Sequence, residues 1–307
     1  MCFLILPMEP QNNSTKRGLI SASINIMRPV NCIMGSLTVI IGLLNTRTGI
    51  PLNILLINLI LGIVTYYFLA SSGMIINDIY DIEIDKINRP NRPLPSGSLS
   101  LTQAKILFLL TFGIGVMISI LHWLFFALSG LNVILAVFFG FIGWLYAAWG
   151  KKSGFYGNLM VSVSFSIGLI YGAVLNSSII PAYIYYFFFT SFFLLLSREI
   201  VKGCEDIEGD KEEGVKTLAI KLGIKKATVF SIVFEIMAII FFILPIFTDI
   251  INPLLFLISM IFGLVVVATA LVLSLRKNLE RKDFKKISLI LKVGALFGLV
   301  AFIFASI

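Results

Sequence analysis

Apolar residues arrive in long runs separated by short polar breaks, and each run has the length that carries an α-helix across the hydrocarbon core of a bilayer, about 17–25 residues. Reading the runs against Gly, Pro, Asn and charge clusters predicts nine helices, near residues 19–44, 51–76, 101–121, 123–148, 155–176, 180–198, 225–247, 252–275 and 287–306. Most breaks are as short as Asn45-Thr46-Arg47-Thr48-Gly49, but two, residues 77–100 and 199–224, are long and crowded with charge. Those two segments have room for polar chemistry. The polar N-terminal stretch ends in Lys16 and Arg17 with no small-residue cleavage site behind a short apolar core, so the first run reads as a mature span and not as a removable signal.

Composition agrees with the pattern. The 307 residues are 58% hydrophobic and 13% charged, against roughly 45–50% and about 25% in soluble domains. Mean hydropathy is +1.00, which excludes a water-soluble globule and leaves an all-α polytopic membrane protein. Cys2, Cys32 and Cys204 are odd in number and far apart, and His122 has no neighbour at ligand spacing. A disulfide framework, a zinc site and a histidine-based nucleophile relay are therefore excluded.

The net charge of +8 acquires meaning only when placed along the chain. With the N-terminus cytoplasmic, the segments after helices 2, 4, 6 and 8 share its side and hold Lys86 to Lys105, Lys151 with Lys152, Arg198 to Lys226, and Arg276 to Lys292. Arg47 is the one base on the opposite side, and Arg28 lies inside the first helix. This asymmetry is the positive-inside signature, not a nucleic-acid footprint, and it predicts a cytoplasmic charged face with the C-terminus outside. Lys225, Lys226 and the Arg276 to Lys292 cluster are assigned to orientation and anionic lipid contact.

Acidic residues cluster more tightly. Four of the 16 lie between Asp78 and Asp85 and seven between Glu199 and Glu213, at the ends of helices 2 and 6. The strings Asp81-Ile82-Glu83-Ile84-Asp85 and Asp206-Ile207-Glu208-Gly209-Asp210 match in pattern 125 residues apart. This suggests two four-helix pseudo-repeats, roughly 19–148 and 155–275, closed by a ninth helix within one domain spanning 1–307.

On a continuing helix Asp78, Asp81 and Asp85 project from one face, where like charges repel unless a cation intervenes. Hard oxygen ligands select Mg²⁺ or Ca²⁺, and Mg²⁺ takes one or two carboxylates together with phosphate oxygens. With Asp206 and Asp210 repeating the spacing, the two helix ends read as a clamp for a metal-bound diphosphate. Glu83 and Glu208 point off that face and read as surface residues.

Bases flank both segments: Lys86, Arg89 and Arg92 after the first, Arg198 and Lys202 before the second, and Lys151 with Lys152 after helix 4. Arg supplies forked donors and Lys a point charge to phosphate oxygens. Arg28, followed by Pro29 and Asn31, either faces a cavity or snorkels to the interface. Tyr146 is a candidate hydrogen-bond donor or a belt tyrosine. The rings at Phe187 to Phe189, Phe192 and Phe193 read as packing or lipid-facing residues, not as a cation-binding wall.

With these motifs in hand, the chain resembles the UbiA-type intramembrane prenyltransferases. The likeness rests on nine spans, Asn77-Asp78-x-x-Asp81-x-x-x-Asp85, Asn91-Arg92-Pro93-Leu94-Pro95-Ser96-Gly97 and Asp206-x-x-x-Asp210, and it covers almost the whole chain. It implies a bundle whose central cavity opens to the cytosolic side and laterally to lipid, Mg²⁺ as cofactor, and transfer of a prenyl group from an allylic diphosphate. Carried over by position, it makes Asn77, Asp78, Asp81 and Asp206 metal–diphosphate ligands with Asp85 and Asp210 in the same network. Asp78, Asp81, Asp206, Asp210 and Tyr146 become the catalytic candidates, and Arg28, Arg89, Arg92, Lys151 and Lys202 candidate phosphate contacts. Where the family often has Tyr-x-x-x-Lys, this chain has Tyr146 and Lys151 one residue further apart, and Glu199 stands where some members have Asp.

The run from Arg198 to Asp210, with Thr217-Leu218-Ala219-Ile220-Lys221-Leu222-Gly223, resembles the archaeal digeranylgeranylglyceryl phosphate synthase branch of the family. The expected reaction joins the geranylgeranyl group of geranylgeranyl diphosphate to the hydroxyl of geranylgeranylglyceryl phosphate, in contact with membrane lipids. The alternatives are an aromatic acceptor, as in quinone or haem side-chain synthesis, and, from another class, a divalent-cation transporter. Transporters place ionisable groups near the bilayer midplane, whereas these acids lie at one face.

Overall fold

The computed structural model describes residues 18–126, 129–212 and 214–307, so Cys2, Lys16, Arg17 and Glu213, which entered the readings above, lie outside the described residues. Among the described residues there are nine helices long and apolar enough to cross a membrane, and no strand. The first span is α1 (Leu19–Met27) and α2 (Pro29–Leu44), the second α3 (Leu52–Tyr80), followed by the short α4 (Ile82–Asn88). The third is α5 (Leu101–Phe125). The fourth is α6 (Leu131–Leu145), a π-helical turn (Tyr146–Gly150) and α7 (Lys151–Ser153). The fifth and sixth are α8 (Phe155–Val174) and α9 (Ala182–Glu205), with short α10 (Ile207–Glu212) and α11 (Leu218–Leu222) after them. The seventh is α12 (Ile224–Ile243) with a 3₁₀ turn (Leu244–Phe247), the eighth α13 (Pro253–Ser274), the ninth α14 (Arg281–Phe304).

The helix number matches the pattern, while one interruption and several helix ends differ for identifiable reasons. The predicted unbroken first helix is interrupted at Arg28, which adopts φ 51° and ψ 61°; the Pro29 ring disfavours right-handed helical backbone at the preceding residue. The second and sixth helices run on through the predicted loops to Tyr80 and Glu205, because their charged ends find partners. The break predicted between 121 and 123 falls after Phe125, so His122 lies within the third span. The ninth helix begins at Arg281, not near 287, where Glu280 and Asp283 form a reciprocal capping box.

In the packing, α3 lies on α5, α12 on α9, α13 on α14 and α2 on α8. The α2–α8 crossing is close because Gly42 faces the Leu169 carbonyl and Gly172 the Val39 carbonyl, positions where a Cβ would collide with backbone. Phe187 is fully buried and stacks on Phe302 at a centroid distance of 4.0 Å, consistent with the packing reading of that aromatic run. Large side chains on the outer faces, such as Leu109, Phe262 and Leu296, are exposed, as a lipid-facing surface requires.

The end remote from the acidic motifs is tied by hydrogen bonds. Asn45 Nδ2 donates to the Phe302 carbonyl at 2.9 Å, Tyr183 donates to the Asn45 carbonyl at 2.5 Å, and Arg47 donates to the Ser306 carbonyl. Deeper in the bundle, Asn58 bonds Asn176 and the buried His122, each at 2.9 Å. This knot leaves the opposite end to carry the polar site.

Candidate active site

The first acidic segment is built where α3 hands over to α4. Asp81 ends one helix and starts the next at φ −90° and ψ 3°, yet the ladder continues, with the Asp81 amide on the Asn77 carbonyl at 3.0 Å and the Asp85 amide on the Asp81 carbonyl at 2.8 Å. Asp78, Asp81 and Asp85 are 2%, 6% and 4% exposed. Carboxylates this buried require cationic partners.

Each has one. Arg28 pairs with Asp78, and Arg92 Nη1 reaches both Asp78 at 3.0 Å and Asp85 at 2.5 Å. Lys151 Nζ meets both oxygens of Asp81 at 2.8 Å, and Asn77 Nδ2 donates to Asp81 at 2.9 Å. The Arg28 side chain enters from the break in the first span and thus faces this cluster, which resolves the alternatives left open by sequence. Arg92 is carried by a turn that Leu94 and Leu99 anchor, both buried against Ala22, Ile26 and Ile75.

Lys151 owes its position to the π-helical turn. The Lys151 amide bonds the Tyr146 carbonyl, an i to i−5 bond that absorbs one extra residue. The interval that departs from Tyr-x-x-x-Lys is therefore accommodated locally, and Lys151, not the exposed Lys152, reaches the carboxylate. Gly154 then turns the chain at φ 71°; a Cβ there would run into the Lys216 carbonyl, so the junction needs glycine both for its backbone angle and for the approach of the 214–217 loop.

The second acidic segment is more open. Asp206 caps α9, with its side chain half exposed and paired to Arg281 at 3.3 Å. Glu199 is held by Arg198 at 2.8 Å and Lys202 at 3.7 Å. A polar cavity of about 180 Å³ gathers Tyr146, Lys151, Glu199, Lys202, Asp206 and Asp210. Lys151 therefore belongs to both acidic segments at once. Lys86 pairs with Glu83 on the surface, and Arg89, Lys152 and Glu208 are exposed, so none of these joins the buried cluster. A larger cavity, about 1160 Å³, runs from Asp78, Arg28 and Arg92 along Leu19, Ile24 and Val30 of the first span.

Asn158, which carries no spacing signal, also lines the polar cavity and escaped the sequence reading; Thr217, quoted there only for the resemblance, lines it too. Glu235, fully buried, was detectable as the one acidic residue inside a predicted span.

Among the described residues no three His, Cys, Asp or Glu side chains meet around one point. Mg²⁺ does not require that: it takes one or two carboxylates and completes its sphere with water and phosphate oxygens. The donor set of Asn77, Asp78, Asp81 and Asp206, all hard oxygens, fits such an ion.

Nine helices of membrane-spanning length among the described residues, with a charge-neutralised acidic site at one end, define an integral, multi-pass membrane protein. The chain belongs to the UbiA prenyltransferase family, whose model matches residues 36–302. A digeranylgeranylglyceryl phosphate synthase of Saccharolobus solfataricus is 36% identical over 291 residues, covering 92% of this chain and 95% of that protein. The synthase of the same name from Sulfurisphaera tokodaii is 35% identical over 254 residues, 80% of this chain and 84% of that protein. A solved structure concerning digeranylgeranylglyceryl phosphate synthase in membranes superposes with a TM-score of 0.82 at 31% identity, over 94% of this chain and 98% of that one. A UbiA homolog from Archaeoglobus fulgidus bound to GPP and Mg²⁺ shares the fold, with a TM-score of 0.66 at 16% identity, over 92% of this chain and 99% of that one. Membership in a prenyltransferase family removes the transporter alternative.

Proposed function

We propose that this protein transfers the geranylgeranyl group of geranylgeranyl diphosphate to the hydroxyl of geranylgeranylglyceryl phosphate, with Mg²⁺, at the cytoplasmic face of the cell membrane. The observation that carries the reading is the position of Lys151, bonded to Asp81 and lining the same cavity as Glu199, Lys202, Asp206 and Asp210. One basic side chain spans two acidic segments, which is the arrangement a diphosphate between them needs. The names of the relatives support the choice of donor and acceptor.

Bound Mg²⁺ supplies positive charge to the departing diphosphate. Asp78 and Asp81 would hold the ion, and Arg28, Arg92 and Lys151, which pair with those aspartates, would donate to the diphosphate oxygens and offset their charge. The allylic C–O bond breaks with its electron pair going to diphosphate, and the acceptor hydroxyl oxygen forms the new C–O bond to the prenyl cation. Its proton leaves with the diphosphate product. Tyr146, on the wall of the polar cavity, orients the acceptor headgroup by its hydroxyl. The 1160 Å³ cavity along the first span, apolar at Leu19, Ile24 and Val30, keeps a long tail in hydrocarbon while its headgroup reaches Asp78. The single domain of two four-helix units plus a closing helix is part of this reading; the second span on the third and the sixth on the seventh are corresponding pairs that support it.

Incubating the purified protein in detergent with geranylgeranyl diphosphate, Mg²⁺ and either geranylgeranylglyceryl phosphate or an aromatic prenyl acceptor tests the proposal. Consumption of the glycerophosphate lipid is expected. Consumption of the aromatic compound alone would overturn it.

A further inference from the structure

The seventh span holds a buried carboxyl group that the site described above does not use. Glu235 of α12 accepts at Oε1 from Ser197 of α9 (3.0 Å), Ser231 one turn earlier (3.1 Å) and Ser274 at the end of α13 (3.3 Å). All four residues are buried, and Glu235 Oε2 has no hydrogen-bond partner among the described residues. Serine inside a helix commonly returns its hydroxyl to its own backbone. Here three serines, from three helices, turn to one oxygen atom.

Such a knot is an expensive way to join helices in a membrane, where an ionisable group marks function more often than stability and apolar packing would do as well. Its location gives it a use. Ser197 immediately precedes Arg198 and Glu199, which pair with each other, and Glu199 lines the polar cavity beside Asp206 and Asp210. Ser274 closes α13, and the short linker 275–280 leads from it to Arg281, the partner of Asp206. The knot thus stands behind both walls of the second acidic segment, and it fixes the register of α9 against α12 and α13 through directional bonds that interchangeable apolar contacts cannot supply.

We infer that Glu235 is a positioning residue, which through Ser197 and Ser274 sets where Arg198, Glu199, Asp206 and Arg281 stand for the substrate headgroup. The inference rests on the reaction proposed above, and its test separates the two. In one variant the knot is made apolar, with Glu235→Leu, Ser197→Ala, Ser231→Ala and Ser274→Ala; in a second, Glu235→Gln keeps an oxygen for the three serines. Thermal unfolding, KM and kcat for geranylgeranyl diphosphate at saturating Mg²⁺, and hydrogen exchange over residues 198–212 are measured on the full chain in detergent.

The apolar variant is expected to unfold at or above the wild-type temperature, with KM raised about 10-fold, kcat within about 3-fold and faster exchange over 198–212. Glu235→Gln is expected to restore wild-type KM. A folded apolar variant with wild-type KM and exchange would overturn the inference, as would a joint fall of unfolding temperature and kcat that Glu235→Gln reproduces. Should the apolar variant not fold, Ser274→Ala alone, which removes one donor, decides: a rise in KM of about 3-fold is expected and none refutes it. If the wild-type chain makes no prenylated product the reaction proposal fails, and the exchange comparison alone still decides the role of Glu235.

Discussion

Lys151 Nζ lies 2.8 Å from each carboxylate oxygen of Asp81, joining the fourth span to the end of the second across 70 residues of chain. The contact goes with a π-helical turn over Tyr146–Gly150 that takes up one residue, so that a lysine five places beyond Tyr146 reaches Asp81. Asp81, 6% exposed, also accepts a hydrogen bond from Asn77.

Replacing Lys151 with Ala should therefore lower product formation by about 10²–10³-fold, the usual effect of losing one donor to a developing anion. Lys152→Ala, at an exposed position, should stay within about 3-fold of wild type. Deleting Ala148, which converts the π turn to an α turn and restores three residues between Tyr146 and the lysine, should retain far more activity than Lys151→Ala. Equal losses in Lys151→Ala and Lys152→Ala would refute the assignment of the motif lysine.

Asp78→Ala and Asp206→Ala, assayed with Mg²⁺ present, should each abolish most turnover. Chelation should abolish it in the wild type, and Mg²⁺, a hard cation, should restore it where Zn²⁺ does not. Near-normal rates in both variants would eliminate the metal-clamp reading. Asp78 should be the more damaging to stability, because its loss leaves Arg28 and Arg92 facing each other in a partly buried site, whereas Asp206 is half exposed.

Arg28 holds a left-handed backbone at the break of the first span while its side chain holds Asp78. Arg28→Gly relaxes the backbone and removes the cation; Arg28→Lys keeps charge without the fork. Both should raise KM for the prenyl diphosphate, the Gly variant by about 10-fold or more, although the Gly variant has the easier backbone. A Gly variant with unaltered KM would show that the break and not the guanidinium matters.

Gly154→Ala should destabilise the chain by about 1–3 kcal/mol, since a side chain at φ 71° is strained and its Cβ meets the Lys216 carbonyl. A lowered unfolding temperature accompanied by loss of activity is expected, because the 214–217 loop closes the polar cavity. Gly209→Ala, at a position with open space around it, serves as the control and should leave the unfolding temperature unchanged.

The nine spans, the charged face and the two acidic segments were legible in the chain because they depend on local properties: run length against bilayer thickness, and the exclusion of Lys and Arg from translocated loops. The Asp-x-x-Asp-x-x-x-Asp spacing likewise announced three carboxylates on one helix face, for helical periodicity is a property of the sequence alone, whereas their burial is a result of packing. What could not be read there is which base meets which acid. Arg28 with Asp78, and Lys151 with Asp81, are pairings across 50 and 70 residues that arise when separate spans pack.

The same holds for the departures from the predicted elements. The extension of α3 and α9 past their apolar runs, the π turn that re-registers Lys151, and the three serines gathered on Glu235 each depend on neighbours far along the chain. Hydropathy and charge placement determined that this chain crosses a membrane nine times and presents acid at one end. Tertiary packing decided how that acid is neutralised, because a buried carboxylate takes its partner from whichever helix the fold brings within hydrogen-bond reach.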